Sequence, residues 1–199
     1  MDNSLSLSLP EGLLVVEPIG SLASLEEEAT VADRASLEGI TSSARRAERL
    51  AWRRVLRRVE GEACEVFYTE QGAPCLKNSH YQHISVSHCA DLVAVVFAQS
   101  PCGVDVERVE RNFERVARRY VSATEQALVT GKCDLAAIWC AKEAIYKLMG
   151  RVGVDFVRDI EILSIDFPQG EIVARASDIG EIRLGLMQPD SEHILAYTK

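Results

Sequence analysis

The segment Gly103-Val104-Asp105-Val106-Glu107 places two carboxylates at a spacing that suits a metal ion. Alternate side chains of a β-strand point to the same face, so Asp105 and Glu107 project together while the valines can face a core. Two carboxylates on one face repel each other unless a cation lies between them, and the oxygen-preferring Mg²⁺ is such a cation. An isolated Asp-x-Glu pair is more commonly an exposed strand face, so other residues must support the metal site.

A second polar group follows on a predicted helix, where Trp139, Glu143 and Lys147 recur at every fourth position. Residues with this spacing share one face of a helix, and an isolated Glu-to-Lys pair there usually only supports the helix. Beside the Asp-x-Glu strand, the carboxylate of Glu143 can complete a metal site, and the ammonium group of Lys147 can contact a phosphate.

The third candidate is His88, which follows Ser85 and Ser87 at the end of a predicted strand. A single histidine at a strand end is more often structural and held by a hydrogen bond. A histidine flanked by hydroxyl groups can instead bind a phosphate, and this is the functional interpretation of Ser87 and His88.

The elements that must position these residues combine one long helix with short strands in each half of the chain. The predicted elements are helices at 43–59 and 134–150 and strands at 64–69, 83–89, 92–97 and 102–106, of which 83–89 and 92–97 are predicted to form a hairpin. Four β-like runs at 160–166, 171–176, 181–187 and 193–198 predict an antiparallel meander. Ser24-x-x-Glu27 further predicts the start of a short helix, and Ser122-x-x-Glu125 predicts a second capping box. This pattern predicts an α+β fold of two subdomains, residues 1–101 and 102–199, each with a helix packed on a small antiparallel sheet.

The composition is that of an ordinary globular chain. The 199 residues are 47% apolar and 26% charged, which excludes a disordered, collagen-like or coiled-coil protein. No apolar run reaches the roughly 18 residues of a membrane span, and the acidic N-terminus does not resemble a signal peptide. We therefore expect a cytoplasmic protein without membrane contact. Six cysteines without Cys-x-x-Cys spacing predict free thiols.

The net charge of −8 argues against a nucleic-acid-binding protein, although arginines are concentrated in two stretches. Residues 45–58 hold seven arginines and one acidic residue, and residues 108–119 hold five arginines and two acidic residues. Such stretches predict contact with an anionic ligand or an acidic partner.

Taken together, the motifs resemble the 4′-phosphopantetheinyl transferase superfamily of the pseudo-dimeric Sfp type, over residues 70–150. That family combines Ser-His after an apolar strand with Gly-[Ile/Val]-Asp-[Ile/Val/Leu]-Glu and Trp-x-x-Lys-Glu-Ala-x-x-Lys. The corresponding segments here are Ser87-His88, 103–107 and 139–147. The arginine-rich helix also resembles the N-terminal helix of some members.

Three positions depart from the family pattern. Ala73 stands where the family has the lysine of a Gly-Lys-Pro turn, and Ser85 stands where it has an asparagine. The segment from Tyr120 to Glu125 matches the family's Phe-Ser-x-x-Glu only in part.

The resemblance implies transfer of 4′-phosphopantetheine from coenzyme A (CoA) to a serine of an apo acyl or peptidyl carrier protein, with release of adenosine 3′,5′-bisphosphate. It also implies two similar halves with the active site, and CoA, in the cleft between them. By motif position, Asp105, Glu107 and Glu143 would hold Mg²⁺ on the pyrophosphate.

The remaining roles also follow from motif position. Lys147 would contact the phosphates, and His88, next to Ser87, would contact the 3′-phosphate of CoA. Lys142 would also face the ligand. Glu143 is the predicted base for the serine hydroxyl, directly or through water, with Glu107 as the alternative.

Arginines would attract an acidic carrier protein, and we expect those at 108–119 to be the ones that bind it. Two halves in one chain favour a monomer, and the pathway, whether fatty-acid, polyketide or peptide synthesis, stays open. One alternative is another Mg²⁺-dependent phosphotransferase or a pyrophosphatase, although no P-loop or kinase motif is present. The other is a non-catalytic interaction module, which the retained carboxylates and Lys147 disfavour.

Overall fold

The structure is a computed structural model that describes residues 4–199. Its strands are β1 (Leu5–Leu9), β2 (Gly12–Pro18), β3 (Glu65–Tyr68), β4 (Pro74–Lys77), β5 (His83–His88), β6 (Leu92–Ala98), β7 (Val104–Arg108), β8 (Ile160–Asp166), β9 (Glu171–Ala176), β10 (Gly180–Met187) and β11 (His193–Thr198). Its helices are α1 (Leu22–Glu28), α2 (Val31–Ala35), α3 (Ser43–Glu60), α4 (Lys132–Met149) and two short 3₁₀ helices, Glu114–Arg119 and Glu125–Leu128.

Residues 1–3 lie outside the described part of the chain, and with them most of the acidic N-terminus for which no signal peptide is expected. Within residues 4–199, no helix has both the length and the apolar character that crossing a bilayer requires.

The strands form two main antiparallel sheets, which confirms the predicted α+β fold. Sheet one has the order β1-β2-β6-β5, and sheet two has the order β7-β11-β10-β9-β8. The predicted hairpin of β5 and β6 is confirmed, and the four C-terminal runs form the meander β8 to β11. A separate small hairpin pairs β3 with β4, a strand that the sequence analysis does not predict.

Three apolar clusters connect these elements into four layers. Helix α3 packs on one face of sheet one around Val55, and α4 packs on sheet two around Ile145. The inner faces of the two sheets meet around Val96 and Val104. Strand β6 is buried along its whole length because both of its faces are covered, which explains its continuous apolar sequence.

The two halves share one connection pattern. In the first half, β2 leads to α3, and the β5–β6 hairpin then returns so that β6 pairs with β2. In the second half, β7 leads to α4, and the β10–β11 hairpin returns so that β11 pairs with β7. This repetition supports two subdomains, and the division at residues 101 and 102 stays a prediction.

Many of the arginines on α3 neutralise buried acids rather than face solvent. Arg53 donates to Asp33 Oδ1 at 2.7 Å, and Arg57 contacts the other oxygen of the same carboxylate. Arg54 donates to the buried carboxylate of Glu17 at 2.8 Å. These arginines therefore attach α3 to α2 and to β2, and they contribute little to the basic surface that the sequence predicts.

The short helix predicted from Ser24-x-x-Glu27 begins one turn earlier in the structure. Ser21 is its N-cap, and its side-chain oxygen accepts a hydrogen bond from the Ser24 backbone amide at 3.2 Å. The prediction of a start at Ser24 is therefore wrong, because a serine three residues upstream occupies the capping position.

Removal of the Asp33 charge is expected to destabilise the protein. Burial by itself raises the pKa of Asp33, but hydrogen bonds from Thr30 and Arg53 outweigh burial and hold that pKa below its ordinary value of 3.8. Asp33→Asn leaves the arginines unpaired in a buried site and should lower the free energy of unfolding by about 3–5 kcal/mol, measured by urea denaturation at pH 7.

The matched control is Glu26→Gln, which removes a more exposed ion pair with Arg46 and should cost less than about 1 kcal/mol. A lowered carboxyl pKa stabilises the fold above the unfolded-state pKa, and that stability is lost as pH falls through the folded-state pKa. The difference between wild type and Asp33→Asn should therefore shrink below pH 3.8. Equal effects of the two substitutions at pH 7 would contradict this role of Asp33.

Candidate active site

A close backbone contact at Gly103 brings the Asp-x-Glu strand against the polar face of α4. A Cβ atom at this position would overlap the carbonyl group of Ala144 on α4. Only glycine therefore allows β7 to approach the helix at this distance. The contact explains why glycine precedes the alternating segment, and it sets the spacing between the strand carboxylates and Glu143.

Asp105 lies at the centre of the site and is 6% exposed. Its Oδ1 accepts hydrogen bonds from the Ser87 hydroxyl at 2.7 Å and from Lys147 Nζ at 2.9 Å. Lys147 also donates to the carbonyl oxygen of Val104 at 2.7 Å, so the ammonium group is fixed at the end of the strand. The other oxygen, Asp105 Oδ2, is buried and has no hydrogen-bond partner among residues 4–199.

Glu107 and Glu143 occupy the same partly buried surroundings. Burial, and then the charge of Asp105, raise the pKa of Glu107 to about 7, against the opposing effects of Arg111 and a hydrogen bond from Trp139. Burial and the charge of Asp105 also raise the pKa of Glu143. Three carboxylates therefore compete for little positive charge, a situation that a bound cation would relieve.

The chemistry of this donor set fits a hard divalent cation. All three side chains offer oxygen ligands, and the unpaired Asp105 Oδ2 is a buried acceptor that a cation would satisfy. Asp105, Glu107 and Glu143 do not place one oxygen each within 4.8 Å of the others, so side-chain rotation must precede shared coordination.

Ser87 belongs to the contact between the two halves. Its hydroxyl donates to Asp105 and accepts a hydrogen bond from the Val106 backbone amide at 3.3 Å, and Ser85 accepts from the Val104 amide at 3.1 Å. The serines of β5 thus bind the free edge of β7. The structure gives Ser87 the position of a group that orients Asp105, and its predicted contact with a ligand stays untested.

Lys142 does not face the site, contrary to the expectation that it faces the ligand. Its side chain is fully buried, and Nζ donates to Glu125 at 2.8 Å and to the carbonyl oxygens of Phe156 and Ile160, both at 2.7 Å. Burial lowers the pKa of Lys142, against the opposing effect of Glu125. The helix turns this side chain away from Glu143, so Lys142 attaches α4 to the loop before β8 and to the second 3₁₀ helix.

Glu125 shows why the partial Phe-Ser-x-x-Glu match is structurally informative. Its carboxylate accepts from the Ser122 amide at 2.7 Å, while the Glu125 amide donates to the Ser122 hydroxyl at 3.2 Å. The predicted capping box is thereby confirmed. The same carboxylate also accepts from the Ile162 amide on β8 at 2.7 Å.

His88 lies beside a cavity of about 660 Å³, a size typical of ligand pockets. Arg45, Arg49, Trp52 and Tyr68 also line it. The Arg49 guanidinium lies 5.9 Å from the centre of the Trp52 ring and 5.4 Å from that of Tyr68, which holds it at the cavity wall. Arg45 and Arg49 belong to the stretch at 45–58 for which the sequence predicts contact with an anion, whereas no sequence motif indicates Trp52 or Tyr68.

One acidic residue enters this basic cavity. Glu48 Oε2 lies 3.5 Å from His88 Nδ1, and Glu48 also lines the cavity between the two arginines. Groups of both charges therefore lie near His88, namely the carboxylate of Glu48 and the guanidinium groups of the two arginines.

A second cavity of about 280 Å³ lies beside Lys147 and Tyr146. It shares Gly72, Pro74 and Val86 with the cavity at His88. The two cavities are therefore neighbours across the turn at residues 72–74. Together they form a surface that extends from His88 to the lysine that holds Asp105.

The second half of the chain matches a known protein family. Residues 101–196 match the model of the 4′-phosphopantetheinyl transferase superfamily. This part of the chain is similar to that superfamily. The matched superfamily region contains Asp105, Glu107, Glu143 and Lys147, and it confirms the resemblance on which the sequence analysis relies.

Two curated relatives extend the match to about two thirds of the chain. The 4′-phosphopantetheinyl transferase psf-1 of Bacillus pumilus is 28% identical over 134 residues, which are 64% of this chain and 52% of that protein. The 4′-phosphopantetheinyl transferase Sfp of Bacillus subtilis (strain 168) is 25% identical over 136 residues, 65% of this chain and 54% of that protein. The chain thus spans about half the length of these superfamily members.

The buried position of Lys142 predicts a structural effect of its loss. Lys142→Met leaves the Glu125 carboxylate without its cation in a site that excludes water, and should lower the free energy of unfolding by about 3–5 kcal/mol. Lys132→Met, on the same helix, removes an exposed pair with Glu110 and should change it by less than about 1 kcal/mol. Urea denaturation of both variants measures the difference, and similar stabilities would contradict the buried pairing.

Proposed function

We propose that this protein transfers 4′-phosphopantetheine from CoA to a serine of an apo acyl or peptidyl carrier protein, in a Mg²⁺-dependent reaction that releases adenosine 3′,5′-bisphosphate. The observation that carries the proposal is the unpaired, buried Asp105 Oδ2 beside Glu107 and Glu143, within the region that matches the superfamily. The names of the two Bacillus relatives support the same reaction class.

The two neighbouring cavities support a path for CoA along the cleft. The 3′-phosphate would lie at His88, where Arg45 and Arg49 supply positive charge that outweighs the single carboxylate of Glu48. The pyrophosphate would lie at the other end, where Lys147 lines the second cavity. Ala73, which replaces the family lysine, lies on the wall of that cavity and offers no charge, so the arginines carry more of the phosphate recognition in this chain.

Asp105, Glu107 and Glu143 would hold the metal in this proposal. The chemistry supplied by a bound Mg²⁺ is neutralisation of the charge that develops on the pyrophosphate oxygens. Lys147 would add a second positive charge at the same phosphates. Its hydrogen bond to Asp105 positions it for this role before the substrate binds.

The reaction needs a base because the carrier serine must lose its proton. The serine oxygen attacks the phosphorus that carries pantetheine, and the bond from this phosphorus to the bridging oxygen breaks. Glu143 would accept the serine proton, directly or through a water molecule. Its raised pKa makes it a better base than an exposed carboxylate. Glu107 is the alternative base.

Exposed arginines would attract the acidic carrier protein. Arg115, Arg118 and Arg119 are exposed on the 3₁₀ segment that follows β7, whereas Arg108 and Arg111 pair with carboxylates. In this proposal the protein acts as a cytoplasmic monomer in fatty-acid, polyketide or peptide synthesis.

The transfer is tested by mass measurement of an apo carrier protein incubated with the chain, CoA and Mg²⁺. The wild type should convert the carrier to its phosphopantetheine form, and chelation of Mg²⁺ should stop the conversion. Asp105→Ala should reduce the rate at least about 100-fold, and Glu143→Gln should reduce kcat by about 10²–10⁴-fold. Glu110→Gln, at an exposed acid in the turn after β7, is the control and should retain the wild-type rate.

Two outcomes would contradict the proposal. Near-normal transfer by a folded Asp105→Ala protein would mean that Asp105 is not a metal ligand. Cleavage of CoA without modification of any acyl or peptidyl carrier protein would favour the alternative of a pyrophosphatase.

Loss of His88 should affect CoA binding more than chemistry, because the 3′-phosphate is distant from the bond that forms. His88→Ala should raise KM for CoA by roughly tenfold or more and change kcat less, since a hydrogen bond to a charged group contributes about 1.5–3 kcal/mol. KM for 3′-dephospho-CoA should change little. His80→Ala, which changes an exposed histidine outside both cavities, is the control. Equal fold-changes for both cosubstrates would mean that His88 only stabilises the strand end.

A further inference from the structure

A second group of metal-ligating side chains lies apart from the carboxylates of the active site. Cys89, Asp91 and His193 each place one ligand atom within 4.8 Å of the other two. Cys89 and Asp91 belong to the tight turn between β5 and β6, and His193 is the first residue of β11. The cluster therefore joins a loop of the first half to a strand of the second half.

The distances within the cluster are close to those of a tetrahedral site. Metal bonds of 2.0–2.3 Å to nitrogen, oxygen and sulfur require ligand atoms separated by roughly 3.3–3.6 Å. Cys89 Sγ lies 3.5 Å from Asp91 Oδ1. His193 Nε2 lies 2.9 Å from the same oxygen, so only a small opening of this pair is needed.

Groups outside the cluster orient two of its ligands, His193 and Asp91. His193 is 3% exposed, and its Nδ1 lies 2.8 Å from Asp190 Oδ1, which fixes the ring and leaves Nε2 directed at the cluster. A carboxylate behind a histidine ligand is the usual support of a zinc-bound imidazole. Arg108 holds Asp91 Oδ2 at 3.1 Å, so Oδ1 remains for a metal.

The geometry points to a binding site for Zn²⁺, a borderline-soft divalent cation. Its ligands are Cys89 Sγ, Asp91 Oδ1 and His193 Nε2. The mixed sulfur, nitrogen and oxygen set favours Zn²⁺ over Mg²⁺, which prefers oxygen alone. Water would complete the tetrahedron, because the Asp91 side chain is 43% exposed. On binding, two protons pass to solvent, one from the Cys89 thiol and one from His193 Nε2, which lies against Asp91 Oδ1 before the metal binds.

Such an ion would connect the two halves of the chain, because its ligands come from the β5–β6 turn and from β11. The bound metal would also replace two hydrogen bonds, Cys89 to Asp91 and Asp91 to His193, by shorter metal–ligand bonds. It would therefore stabilise the relative position of the β5–β6 turn and β11, independently of whether the active site holds Mg²⁺.

The test is a Co²⁺ titration of the purified full chain in a large excess of Mg²⁺, which saturates the oxygen-only carboxylate site. The wild type should bind one Co²⁺ with a sulfur-to-metal charge-transfer absorption, and equimolar Zn²⁺ should remove that absorption. Cys89→Ser, close to isosteric and retaining a hydrogen-bonding group, should lose the absorption and bind Zn²⁺ at least about tenfold more weakly. Cys64→Ser, at another half-buried free cysteine, should behave as the wild type.

A second measurement makes the outcome independent of absorption alone. Zn²⁺ should raise the melting temperature of the wild type and of Cys64→Ser, and should raise that of Cys89→Ser or Asp91→Ala much less. Absence of a charge-transfer band in the wild type, or its persistence in Cys89→Ser, would overturn the assignment. Asp105→Ala should retain the band, which separates this site from the active site.

Discussion

The contact between Gly103 and the backbone of Ala144 is the constraint on which the rest of the site depends. It lets an extended strand lie directly on a helix with no side chain between them. One face of β7 then delivers two carboxylates to α4, and the other face delivers Val104 and Val106 to the core between the sheets. A single missing Cβ therefore links the packing of the second half to the spacing of the acidic groups.

The carboxylates inside this protein differ in how completely cationic side chains neutralise them. Asp33 and Glu125 are buried carboxylates with strong cationic partners, and such fully paired groups fix elements in place. Asp105 is buried and Glu143 is partly buried, and both have little positive charge nearby; burial and the charge of Asp105 raise the pKa of Glu143. Incomplete neutralisation of this kind is characteristic of functional sites rather than of structural ion pairs. Burial alone would not separate the two groups, since Asp105 is buried just as Asp33 and Glu125 are.

The sequence predicts those features that depend on local periodicity. The alternation of Asp105 and Glu107 with valines follows from a period-two pattern. The hairpin of β5 and β6 and the C-terminal meander follow from short β-like runs, and the structure confirms all three features. Strand β4 is missed because it begins at a proline and is short. Lys142 is misplaced because successive helix residues differ in direction by about 100°, and its burial depends on Glu125, which lies 17 residues earlier in the chain.

The serines of β5 also accept hydrogen bonds from two backbone amides on the outer edge of β7, those of Val104 and Val106. An outermost strand with free amides is a template for pairing with a strand of another molecule. Here hydroxyl groups from the other half occupy these amides, so the halves protect each other without forming one continuous sheet. A fragment limited to residues 102–199 would lose that protection and present β7 to its neighbours, which makes aggregation by strand pairing the characteristic failure of such a fragment.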